Sequence, residues 1–337
     1  MVSFFPTTDI SAFGHIEIRM FARPTFKDVL AARKVIAPYL SKTPLLHYPG
    51  LSSVLGFEAH VKHENCLPTG AFKVRGGINL VSQLSPEERK RGIIAASTGN
   101  HGASLAYAGK LYGVRTVICV PAGANPDKVA AIKGFGAEIV EWGPEYDDAK
   151  ANAEKIAKEQ GLRYINSGNE PLLIAGVGTI GIEILEDLPE VDTVIAPVAA
   201  GTHASGVATV MKAASPDIEV IGVQAENAQG TYLSWKSGDL VSTDSANTIA
   251  DGLALRSGFR LPVDIMRDLL DDFVLVSEEE IKAAIRLYVE KAHTIAEGAG
   301  AASLAAGYKI RDRLKGKKVV MVLSGGNITA EMLKEIL

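Results

Sequence analysis

Four short segments of this sequence combine reactive side chains with backbone able to present them. In Pro68-Thr69-Gly70-Ala71-Phe72-Lys73-Val74-Arg75-Gly76-Gly77, a turn-forming Pro-Thr-Gly runs into helical spacing that puts Lys73 in the first turn. The positive end of a helix dipole disfavours another positive charge, so the amine is biased toward its neutral form. A neutral amine can form a Schiff base with a carbonyl. The second segment, Ala95-Ala96-Ser97-Thr98-Gly99-Asn100-His101-Gly102, offers amides and the Ser97 and Thr98 hydroxyls to a carboxylate, with Asn100 able to donate to a ligand oxygen. In the third, Ala196-Pro197-Val198-Ala199-Ala200-Gly201-Thr202-His203-Ala204-Ser205-Gly206, small side chains let amides at a helix N-terminus approach a phosphate. The fourth, Val320-Met321-Val322-Leu323-Ser324-Gly325-Gly326-Asn327, ends an apolar run in a hydroxyl.

Taken singly, each segment also reads as ordinary architecture: a solvated lysine, a helix cap, a packed turn, a glycine turn before the last helix. Their shared placement is more specific, because three of them follow a strand-like apolar run, where α/β sheets bind ligands. Gly92 to Ser97, Arg115 to Pro121, Asp192 to Pro197, Glu219 to Gln224, Asp272 to Val276 and Lys318 to Leu323 predict strands, mostly without polar alternation and therefore covered on both faces. Between them, Asn100 to Tyr112, Pro126 to Gly134 and Ile281 to His293 have helical period. Asn125-Pro126 and the Ser277/Glu280 capping box mark two of the starts. The alternation predicts an α/β fold with two open, mostly parallel sheets flanked by helices and a cleft between them. The domain division expected is 1–61 and 166–337 for a large domain and 62–165 for a small one, without a flexible linker or an internal repeat.

Composition excludes several function classes. The 337 residues carry 35 Lys plus Arg against 39 Asp plus Glu, so bulk charge gives no reason to expect nucleic-acid binding. Glycine, 33 residues, exceeds the usual ~7% and is clustered. Cys66 and Cys119 lack metal-ligand spacing to each other or to the seven histidines and are expected to be reduced. Met1 to Met20 does not read as a signal peptide, and no apolar run approaches the ~18 residues of a membrane span. A cytoplasmic, non-membrane protein is expected.

The four segments together resemble the fold-type II pyridoxal-phosphate enzymes, in particular the threonine dehydratase and serine dehydratase or racemase branch, from Thr43-Pro44-Leu45 to Ser324. The resemblance implies pyridoxal 5'-phosphate as cofactor. It makes Lys73 the Schiff-base lysine, Phe72 the residue packing on the cofactor ring, Asn100 the contact to its 3-oxygen, and Ser97, Thr98, Gly99, Asn100 and His101 the substrate-carboxylate loop. Ala199, Ala200, Gly201, Thr202 and His203 stand at the phosphate loop and Ser324 faces the pyridine nitrogen. Ile249 to Ala254 and Ala296 to Ala301 match the branch too, placing Gly252 and Glu297 among the cofactor-binding residues.

Three departures stand out. The phosphate loop is usually four glycines and an apolar residue, whereas Gly-Thr-His-Ala here is similar to D-cysteine desulfhydrases and aminocyclopropane-carboxylate deaminases. Thr98 stands where racemases of the branch carry a serine acid/base. Gln224 and Gly230 replace the carboxylates of the branch's divalent-metal site, and hard cations prefer charged oxygens, so no metal is expected there. Only ten residues follow Asn327, so no C-terminal regulatory domain is expected.

The activity implied is an ammonia-lyase acting on a β-hydroxy amino acid such as L-threonine or L-serine, in a homodimer or homotetramer. Racemisation, or elimination from hydroxyaspartate, phenylserine or a D-amino acid, stays open, as does a non-catalytic pyridoxal-phosphate or amino-acid binding protein. A nicotinamide dehydrogenase is disfavoured by the lack of a Gly-x-Gly-x-x-Gly after the first strand.

Overall fold

A computed structural model describes residues 22–337; residues 1–21, on which the signal-peptide reading rests, lie outside the described residues. Among the described residues, ten strands form two sheets: β1 (Leu45–His47), β2 (Glu58–His63), β3 (Ile93–Ala96), β4 (Thr116–Val120), β5 (Glu138–Glu141), β6 (Arg163–Tyr164), β7 (Thr193–Pro197), β8 (Glu219–Ala225), β9 (Asp272–Val276) and β10 (Lys318–Leu323). The larger has the order β1-β2-β10-β7-β8-β9, parallel except for β1, which pairs antiparallel with β2. The smaller is the parallel sheet β5-β4-β3-β6. Every residue of β3, β4 and β7 is buried, as expected of parallel strands with helices on both faces.

Parallel strands need long crossovers, and those of both sheets are helical. The Asn100–Tyr112 and Pro126–Gly134 helices have the bounds their sequence punctuation predicts; the Asn125 side chain accepts from the amides of Asp127 and Lys128. The Ser277 capping box forms, with the helix at Glu278–Ala292. The Lys73–Ser82 helix packs against Pro171–Asp187 at very short range, where a Cβ on Gly176 would lie 2.7 Å from the Arg75 carbonyl oxygen. Among the described residues no helix is long and apolar enough to cross a membrane.

One consequence of the strand order matters most for chemistry. The last strand, β10, lies between β2 and β7, so the loops that leave the carboxyl ends of β2, β7 and β10 emerge side by side. The loop leaving β3 faces them from the smaller sheet.

Candidate active site

β2 ends at His63, and the chain turns through Glu64–Cys66 and a tight Leu67–Gly70 turn into the Lys73 helix. This stretch is zipped onto the loop after β10: Phe72 donates its amide to the Ser324 carbonyl at 3.0 Å, Gly326 donates to the Gly70 carbonyl at 2.9 Å, and Ala71 bridges Gly325. Lys73 and Ser324 therefore share one rigid corner. The Lys73 amine lies 4.7 Å from the centre of the Phe72 ring. Burial brings it down to about 8, against the opposing pull of the Glu297 charge.

The loop after β7 reaches the same corner. Gly201 has φ +90° and caps the Thr202–Ala214 helix; a Cβ there would lie 2.7 Å from Pro262 Cβ and 2.8 Å from Met266 Cε. Thr231 donates its hydroxyl to the Ala199 carbonyl at 2.7 Å, fixing the loop. The amides of a first helical turn have no intrahelical acceptor, so those of Thr202, His203 and Ala204 remain available to an anion. The His203 ring stacks on Phe72 with centroids 4.4 Å apart, and neither ring nitrogen has a partner among the described residues. Burial, then the charges of Lys73 and Arg75, lower it to about 3 and hold it neutral.

From the smaller sheet, the Ser97 hydroxyl accepts from the amides of Gly102 at 2.9 Å and Gly99 at 3.3 Å, shaping the loop into a helix start. Thr98 and Gly99 are half-buried at its open end, and a Cβ on Gly99 would meet nothing within 4 Å. His101 is buried with Nε2 unpartnered and is lowered to about 3 by burial, then by the Lys73 charge. Asn100 donates Nδ2 to Glu297 Oε1 at 2.7 Å. Burial raises Glu297 to about 6 despite that bond. Gly252 is packed beside it, where a Cβ would lie 3.8 Å from Glu297 Oε1. Lys73, Phe72, His203, Ser324, Glu297, Gly252 and Asn100 thus form one connected cluster, with Ser97 to His101 on the facing wall.

Several neighbours escaped the sequence reading. Asn327 joins the Asn100 and Thr69 segments. Tyr146 donates its hydroxyl to the Ala96 carbonyl at 3.2 Å, behind the carboxylate loop. Lys128 and Asp251 form an ion pair across the cleft. Behind Lys73, Arg75 is buried among Glu64, Glu183, Lys62 and Thr43: Nε and Nη2 bind Glu64 at 2.7 and 2.8 Å, and Nη1 and Nη2 bind Glu183 at 2.7 and 2.8 Å. Lys62 Nζ adds a 2.7 Å bond to Glu183. The available signal for that network was the charge of Lys62 and Glu64 at the end of a strand.

At the positions of the branch's metal site, Gln224 Oε1 accepts from the Tyr232 amide at 2.9 Å, and a Cβ on Gly230 would lie 2.2 Å from the Arg256 carbonyl oxygen. Among the described residues no three His, Cys, Asp or Glu side chains are grouped to hold a metal.

A desolvated lysine at the carboxyl ends of parallel strands, backed by open first-turn amides and faced by a loop of hydroxyl and amide donors, has the chemistry to suit a carbonyl-bearing, phosphorylated coenzyme. The chain belongs to the pyridoxal-phosphate dependent enzymes, whose family model matches residues 36–325. It is 39% identical over 313 residues, 93% of this chain and 78% of the relative, to L-threonine ammonia-lyase of Thermotoga maritima. Maize serine racemase superposes with a TM-score of 0.89 at 30% identity, covering 93% of this chain and 97% of that one. The processed threonine deaminase isoform 2 of Solanum lycopersicum does so with 0.87 at 32% identity, covering 95% and 92%. The residues present fit the cofactor: the Lys73 amine is desolvated, the first-turn amides beside Gly201 are open, and a buried imidazole beside them has no partner among the described residues.

Proposed function

We propose that this enzyme is an ammonia-lyase converting a β-hydroxy amino acid, L-threonine or L-serine, to a 2-oxo acid and ammonia. The observation that carries the reading is the corner in which the Lys73 helix is hydrogen-bonded to the Ser324 loop, in a chain 39% identical to an L-threonine ammonia-lyase. Pyridoxal phosphate supplies the electron sink for the bond broken at the α-carbon.

The chain's own residues do the rest. Lys73 Nζ would hold the cofactor and serve as the base for the α-proton; with the amine brought to about 8, part of it is neutral and basic near physiological pH. Thr98, Gly99, Asn100 and His101 provide hydroxyl and amide donors for the substrate carboxylate, on a loop held by Ser97. Ala199 to His203 would hold the phosphate with the helix N-terminus, and Phe72, stacked on His203, would pack on the ring. Ser324 would offer the ring nitrogen a neutral hydroxyl, which could not stabilise a positive charge there as a carboxylate would and so would favour elimination over competing outcomes. In the net reaction, water lost across the α- and β-carbons is regained when the imine product hydrolyses to 2-oxo acid and ammonia.

Racemisation is the second reading, favoured by the likeness to maize serine racemase and by the hydroxyl of Thr98 at the open end of its loop. Incubation with L-threonine and L-serine, reading 2-oxo acid separately from D-allo-threonine and D-serine, decides between them. Lys73→Ala is expected to abolish both activities and the borohydride-trapped adduct at this position; a trapped adduct elsewhere in the mutant refutes the role of Lys73.

A further inference from the structure

Asn327 follows the Ser324-Gly325-Gly326 turn and holds none of the roles assigned above. Its side-chain nitrogen donates twice, to the Thr69 carbonyl at 2.9 Å and to Asn100 Oδ1 at 2.8 Å. The first bond secures the turn that leads into the Lys73 helix. The second crosses to the loop of the smaller sheet. Room for the side chain comes from Gly70, which has φ +69° and where a Cβ would lie 2.2 Å from Asn327 Oδ1.

An asparagine side chain carries one acceptor oxygen and one donor nitrogen on the same carbon, and an ionised carboxylate only accepts. Because Asn327 donates to Asn100 Oδ1, the Asn100 nitrogen is directed at its other partner, Glu297 Oε1, 2.7 Å away. The chain of donors runs in one direction only, from position 327 through position 100 to position 297. We propose that Asn327 is a positioning residue of this active site, setting which way the Asn100 amide faces and locking the carboxylate loop to the turn that carries Lys73. The proposal rests on the pyridoxal-phosphate reading above, in which Asn100 and Lys73 address the same cofactor.

Asn327→Asp preserves size and shape but replaces the donor by an acceptor, so the Asn100 nitrogen is drawn toward position 327 and away from Glu297. The test compares holoenzymes of wild type, Asn327→Asp, Asn100→Ala and the double variant, by cofactor dissociation constant, pH titration of the visible absorption band, and thermal midpoint. Each single variant is expected to bind cofactor about tenfold more weakly, corresponding to about 1.4 kcal/mol. The double is expected to stay near twentyfold, well short of the hundredfold of independent effects. The band of Asn327→Asp titrates with a shift in the same direction as that of Asn100→Ala. A hundredfold loss in the double, or an Asn327→Asp variant indistinguishable from wild type, overturns the proposal. If Asn327→Asp does not fold, Asn327→Ser, too short to reach Asn100, takes its place. A wild-type chain that takes up no pyridoxal phosphate sinks the functional reading instead. The cycle is then read on thermal midpoints, where non-additive losses support the coupling and additive losses refute it.

Discussion

Replacing Glu183 by glutamine tests the buried ion network behind the active-site lysine. Two cations, Lys62 and Arg75, and two carboxylates, Glu64 and Glu183, share a site with almost no solvent exposure. Burial pushes the Glu183 carboxyl up, but the hydrogen bonds and charge of Arg75, followed by those of Lys62, outweigh it and bring it from 4.5 to about 2. Such a displacement contributes about 3 kcal/mol of stability. The unfolded chain binds this proton more readily than the folded one, so the contribution is complete above pH 4.5 and lost as acid carries the pH down through 2. At pH 7 it is measured in full. Glu183→Gln removes it and leaves one net positive charge buried, the arrangement that makes breaking a buried pair costly. With 337 residues and an unfolding entropy of about 2.1 cal/mol/K per residue, the thermal midpoint is expected to fall by about 4 °C. Burial already opposes the charge on Lys62, so adding Lys62→Met, which returns the site to one cation and one anion, is expected to restore at least half of the loss. Thermal unfolding and urea unfolding at pH 7 and fixed, saturating cofactor read the midpoint and the free energy of both variants. A Glu183→Gln variant within ~1 kcal/mol of wild type, or a double variant weaker than the single, refutes the charge-balance argument.

Two further predictions concern His203 and Ser324, buried groups of the corner that carries Lys73. His203 is held neutral at about 3 while its unfolded counterpart protonates near 6.5, so between those values the unfolded state binds the extra proton and stability falls as pH falls. His203→Leu is expected to flatten the dependence of unfolding free energy on pH between 6 and 4 by about 1.4 kcal/mol per pH unit; urea titrations across that range check it, and an unchanged slope contradicts it. Ser324→Asp is expected to divert product from 2-oxo acid toward racemised substrate, measured as the ratio of the two products. Unchanged partitioning rejects the electronic role of the Ser324 hydroxyl.

Most of the strands that the sequence revealed are buried on both faces, the edge strand Asp272–Val276 excepted. Thr193–Pro197 and Lys318–Leu323 are legible because both faces are covered, and the Asn100–Tyr112 helix because a polar loop precedes it. β2 was illegible for the opposite reason. Glu58-Ala59-His60-Val61-Lys62-His63 alternates like a half-exposed strand, yet it lies inside the large sheet, and Lys62 is buried because Glu183, far along the chain, neutralises it. The two-residue β6 and the three-residue β1 are too short to show a period. Local motifs brought the four site segments into view, whereas Asn327, Tyr146 and the Arg75 partners act through contacts between distant segments that spacing alone does not encode.

The position of β10 between β2 and β7 has a bearing on folding. The reactive amine follows β2, but the strand and turn against which its helix is fastened lie far along the chain. A chain cut before Leu323 lacks the middle of its principal sheet, so the corner that holds the amine closes only once these distant segments have paired.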